Sequence, residues 1–140
     1  MPHQLKFRIL EERLAVCRLE PAARIPTWAL EGKFFCVVRT ADELSVVCSE
    51  SVVPKATIAE HGWLALKLER PFPFSLSGVL AAFARPLARA RIGIFAISTF
   101  DTDYILIKKD DCDAALVALE TAGHENIGKN PSKQPSKQKR

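Results

Sequence analysis

Along the first half of the chain, apolar and polar positions alternate with a period of two. In LKFRIL (5–10) Leu5, Phe7 and Ile9 alternate with Lys6 and Arg8, and in RLAVCRL (13–19) Leu14 and Val16 alternate with Ala15, Cys17 and Leu19. A period of two is that of a strand, and the Glu11-Glu12 break between the runs predicts a hairpin. Pro21, Pro26 and Gly32 make 20–32 an irregular connection, with at most a short helical turn at Thr27–Leu30. FFCVVRT (34–40) and ELSVVCS (43–49) follow as two further strands. In the second half, GWLALKLE (62–69) is a strand closed by Pro71 and Pro73. The period then changes. Leu76, Val79, Leu80, Phe83 and Leu87 form one stripe of an amphipathic helix. Ser75 or Ser77 is expected to cap this helix, Pro86 to kink or loosen it and Gly93 to end it. IFAIST (94–99) and YILIKK (104–109) lack clean alternation, as strands covered on both sides or at an interface do. A second helix follows, capped by Asp110 or Asp111, with Cys112, Ala115, Leu116 and Leu119 as its stripe and Gly123 as its stop. His124–Ile127 completes the series as a short strand.

Residues 61–127 therefore read strand, helix, strand, strand, helix, strand, which is the split βαβ or ferredoxin-like arrangement. Residues 1–60 offer four strands with little helix. The class is α+β.

Composition sharpens this in one respect. The net charge of +4 comes from the end of the chain, where Lys129, Lys133, Lys137, Lys139 and Arg140 stand without an acid, and 16 acids almost balance the remaining basic residues. Residues 128–140, with PSKQ repeated in tandem, offer no apolar face and are expected to be a disordered basic tail. No basic binding face remains, so nucleic acid is not an expected partner. No apolar run is long enough to span a membrane, and Met1-Pro2-His3-Gln4 does not resemble a secretory signal, so a cytoplasmic location is expected. Cys17, Cys36, Cys48 and Cys112 form no CxxC pair and are expected to act as small hydrophobes. His3, His61 and His124 show no ligand spacing and are expected at the surface or in loops.

The chemistry is concentrated in Ser98, Thr99, Phe100, Asp101, Thr102 and Asp103, between the two apolar runs. An acid/base pair of Asp101 and Asp103 would need burial to separate its pKa values, and a polar turn does not provide it. A cation held by Thr99, Asp101 and Asp103 would need a further oxygen ligand and a glycine, where Tyr104-Ile105-Leu106 stand instead. No GxSxG, P-loop or GxGxxG is present. No catalytic residue, metal ligand or cofactor is assigned. Ligand binding can be assembled from two pieces. The helix start at Ser75, Ser77 and Gly78 offers backbone N–H groups to a carboxylate, while Thr99, Phe100 and Asp103 offer a hydroxyl, an apolar wall and a partner for an ammonium group. The other reading is that Asp101 and Asp103 only cap the turn. Residue chemistry leaves both open.

The stretch FSLSGVLAAFARPLARARIGIFAISTFDTDYILI (74–107), above all SGVL (77–80), PLA (86–88) and STFDTDYIL (98–106), resembles the second ACT-type module of small bacterial ACT-domain proteins related to the CASTOR arginine sensors. RLAVCRLE, TADELSVVCSE and GWLALKLE are similar to the same family's N-terminal part, so the likeness spans 4–125. The resemblance implies two ACT-like modules, 1–60 strand-rich and 61–127 complete, and amino-acid-responsive regulation rather than catalysis. It places a free amino acid or similar small zwitterion between two modules, at Ser98, Thr99, Phe100 and Asp103 and at the loop ahead of Gly78, which holds Ser75 and Ser77. Asp101 is then the turn cap. Pro73, Ser75 and Leu76 replace the glycine and acidic residues of the arginine sensors, so arginine is not implied. The sensors hold a duplicated unit, and a homodimer would restore the pair. The alternative is a ligand-free adaptor acting through protein–protein contacts.

Overall fold

The computed structural model describes residues 4–69 and 78–128. The chain divides into two compact units, one of Glu12–Trp63 and the other of the residues up to Glu11 together with those from Leu64 onward. The expected modules are drawn at 1–60 and 61–127. They miss that the first strand belongs with the second half.

That first strand is β1 (Lys6–Ile9), followed by β2 (Leu14–Leu19), β3 (Cys36–Arg39), β4 (Leu44–Ser49) and β5 (Ile58–Leu68). In the Glu12–Trp63 unit, β4 lies between β3 and β2, and β2 also pairs with the first part of β5, all antiparallel. Its one helical piece before β4 is the 3-10 turn Thr27–Leu30. Ala15, Cys17, Ala29, Leu44, Val46 and Cys48 form its core. β5 starts earlier than its apolar pattern suggests, because Ile58–Glu60 alternate too weakly to signal a strand. Opposite Leu14–Val16 the register slips by one residue, a bulge made at Gly62 with φ +82°. The Glu50 carboxylate accepts the Gly62 N–H at 2.8 Å, so the bulged amide keeps a partner.

The other unit adds α1 (Val79–Arg89), β6 (Phe95–Ser98), β7 (Asp103–Lys108), α2 (Cys112–Thr121) and β8 (Glu125–Gly128) to β1 and the end of β5. The strand order is β8-β1-β5-β7-β6, with β1 antiparallel to β5 and parallel to β8. This is the ferredoxin-like order with an N-terminal strand inserted between the last strand and the first. Phe7, Ile9, Leu66, Leu68, Ile105 and Ile107 pack against Val79, Phe83, Leu87, Ala115 and Leu119 of the two helices. Phe7 and Phe83 meet edge to face at 5.3 Å between ring centroids.

Both helices end in the same way. In α2 the Gly123 N–H donates to Glu120 O and the His124 N–H to Leu119 O, with Gly123 at φ +97°. In α1 the Arg91 N–H donates to Ala88 O and the Ile92 N–H to Leu87 O. These are the paired bonds of the Schellman motif. The left-handed position in α1 is held by Arg91, at φ +64°, two residues before the expected stop at Gly93. The buried Ile92 side chain, packed with Leu87, fixes the end there. At the other end of α1 the N-cap position is Gly78, at φ +86°, with no side-chain capping bond. The expected caps Ser75 and Ser77 lie outside the described residues, as do Pro73 and Leu76. The helix runs unbroken through Pro86, which it holds in its interior.

Candidate functional site

β6 and β7 are register partners from Phe95↔Leu106 to Ser98↔Asp103, and the chain turns over between them at residues 99–102. The turn closes on itself through two threonines. The Thr99 N–H donates to Thr102 O at 2.8 Å, the Thr99 hydroxyl donates to the same carbonyl at 3.1 Å, and the Thr102 N–H donates to Thr99 Oγ1 at 3.2 Å. The buried Thr102 hydroxyl then donates to Leu68 O at 2.7 Å. This bond fastens the turn to the end of β5, where the chain leaves the sheet towards α1. At the base of the turn the Ser98 hydroxyl donates to Asp103 Oδ1 at 2.5 Å. Ser98 and Asp103 share a sheet face with Ile105, the face on which the helices pack.

Ser98, Thr99 and Asp103 are therefore brought together. Phe100 is not part of a wall, because it stands fully exposed at the tip of the turn. Thr99 makes closing bonds of the turn, and Asp101 is exposed. Thr102 was not among the expected site residues. Its place directly ahead of an apolar strand was the available signal, since a hydroxyl there can reach a neighbouring strand's carbonyl.

Cys17 and Cys48 are buried on the neighbouring strands β2 and β4. Burial raises the Cys17 thiol, and burial, then Cys17, then Glu12 push Cys48 up to about 12. Such thiols are inert hydrophobes. His124, expected at the surface or in a loop, is buried, 4% exposed. Among the described residues no three His, Cys, Asp or Glu side chains are grouped to hold a metal ion, and no helix is long and apolar enough to cross a membrane.

Comparison with known proteins finds two family matches along the chain. A model of the ACT domain matches residues 58–121, and a model of an N-terminal domain family matches residues 12–56. The crystal structure of Atu0741 from Agobacterium tumefaciens is 35% identical and superposes with a TM-score of 0.87, covering 90% of this chain and 94% of that one. The human protein CASTOR3P is 27% identical, with 56% of each chain covered, so this chain spans about half the length of that relative. The chain belongs to the small ACT-domain proteins related to CASTOR. The regulatory subunit of aspartate kinase from Thermus thermophilus shares the fold at 11% identity, with a TM-score of 0.58 and coverage of 81% of this chain and 96% of that one. In this ACT-domain protein the turn at 99–102 and the start of α1 are thus parts of a ferredoxin-like fold.

Proposed function

We propose that this ACT-domain protein is a non-enzymatic regulator that binds a free amino acid at the β6–β7 turn. The observation that carries the reading is the preformed Ser98–Asp103 pair, fastened through Thr102 beside the strand end that leads to α1. With Oδ1 occupied by the Ser98 hydroxyl, Asp103 keeps Oδ2 for an ammonium group. The start of α1 at Gly78 supplies free N–H groups and a positive dipole end for a carboxylate. In this reading Ser75 and Ser77, which precede Gly78 in sequence, complete the ligand's surroundings. Among the described residues β6 pairs with β7 alone, and Phe95 and Ile97 are half-buried, so a second copy joined at this edge would form a homodimer with two modules facing one site. The working location in this reading is the cytoplasm, with neither nucleic acid nor membrane as partner.

Calorimetry of the folded protein against the twenty amino acids tests the proposal, with Asp103→Asn expected to remove the heat and Asp101→Asn to leave it. Equal effects of the two changes would undo the assignment of Asp103. One observation favours the adaptor reading: Phe100, large and apolar, is fully exposed at the turn tip, as an anchor for another protein would be. Loss of a partner on Phe100→Ala with Asp103→Asn silent would support that alternative.

A further inference from the structure

Proline in a helix interior removes one N–H, and the carbonyl four residues earlier loses its donor. In α1 that proline is Pro86 and the carbonyl is that of Ala82. The vacancy is filled from another element, because His124 Nε2 lies 3.1 Å from Ala82 O. A carbonyl only accepts, so Nε2 carries the proton. On the far side of the ring the Leu5 N–H donates to Nδ1 at 3.0 Å, so Nδ1 is bare. The ring is buried, stacked in a tilted contact on Phe83 at 5.3 Å between centroids, and follows directly on the Gly123 stop of α2. One imidazole thus joins β1, α1 and the end of α2, in a single tautomer of the neutral form.

We propose that His124 is a proton-operated latch: neutral, it closes the gap that Pro86 leaves in α1 and holds the start of β1, and protonated, it releases β1. Proton uptake at Nδ1 sets an N–H against the Leu5 N–H, so that bond is lost, while the bond to Ala82 O survives. The consequence is directional: acid loosens the inserted strand β1 before it loosens α1. Burial pushes the imidazole below its ordinary range, partly opposed by the bond to Ala82. The charged side chains on the adjoining elements, Lys6 on β1, Arg85 on α1, Glu120 on α2 and Glu125 on β8, are exposed, and none bonds the ring. Among the described residues no carboxylate bonds the ring to stabilise the imidazolium. The inference is independent of any ligand.

The sign follows from a pKa lowered by folding. The latch contributes fully above the unfolded value, about 6.5, and its contribution falls with pH below it, by up to about tenfold in the folding equilibrium constant per pH unit. The test is urea unfolding of the full chain between about pH 8 and pH 5, beside amide exchange at Leu5 corrected for its intrinsic rate. The comparison is a double variant, Pro86→Ala with His124→Asn, which returns an N–H to Ala82 O and offers an amide oxygen, without a titrating group, to the Leu5 N–H. Wild type is expected to lose stability and Leu5 protection on acidification, and the double variant to lose neither over that range. Nitrogen shifts of the wild-type ring should show the Nε2–H tautomer at neutral pH, whatever the variant's stability. Equal acid sensitivity of the two proteins, or an Nδ1–H ring at neutral pH, would overturn the latch.

Discussion

Replacing Thr102 by Val tests whether the turn is held by its bond to β5. The side chain keeps its shape and loses the hydroxyl that donates to Leu68 O at 2.7 Å from a residue only 6% exposed. Losing such a bond costs about 1 kcal/mol net, and leaving a buried acceptor unpaired raises this to about 1–3 kcal/mol. The extra apolar group returns less than ~0.8 kcal/mol, the value of one buried methylene. A net loss of roughly 1–2 kcal/mol is therefore expected, seen as a lower urea midpoint at unchanged slope. Stability alone would not locate the effect, so the second readout is exchange of the Thr99 amide, which is bonded to Thr102 O. Thr102→Val should speed that exchange about tenfold, as a local loss of ~1.4 kcal/mol requires. Thr102→Ser, which keeps the hydroxyl and drops the methyl, should lower stability by about 1 kcal/mol while leaving the Thr99 amide protected. Unchanged Thr99 exchange in Thr102→Val, or equal acceleration in both variants, would refute the claim that this bond fixes the turn.

Arg91→Gly should raise stability by about 0.5–1 kcal/mol in urea unfolding. A side chain at φ +64° carries ~1–2 kcal/mol of strain, of which glycine's chain entropy cancels part. Gly123→Ala should do the reverse and cost more than ~1 kcal/mol, since its φ is +97° and the new Cβ would stand 3.0 Å from Gln4 Nε2. In the native protein at neutral pH, Cys17 and Cys48 should resist a soluble thiol reagent until urea unfolds the chain; prompt native-state labelling of Cys48 would contradict a thiol pushed up to about 12.

What was legible in the sequence was what is local. The stripe of α2 and its glycine stop determine that helix almost to the residue, because pattern and turn chemistry agree there. At the end of α1 they disagree. The sequence rule favours Gly93, but packing of Ile92 on Leu87 outweighs the strain at Arg91 and ends the helix earlier. The placement of β1 could not be read locally, because its parallel partner β8 lies some 119 residues away in sequence, the separation of Leu5 and His124. For the site, Ser98, Thr99 and Asp103 were legible as a polar turn between two strands. The allocation of bonds within it was not, since Thr and Asp can cap the same turn and only the position of Leu68 O decides that Thr102 anchors it. The burial of His124 was not legible for a related reason: its role depends on a carbonyl freed by a proline in another helix.

If the Ser98–Asp103 pair is one half of an amino-acid site, calorimetry of the folded protein against each of the twenty amino acids must detect it. Saturable heat from at least one amino acid, abolished by Asp103→Asn in a variant that unfolds at the wild-type urea midpoint, is the predicted result. A folded protein that gives no heat with any of the twenty would contradict it.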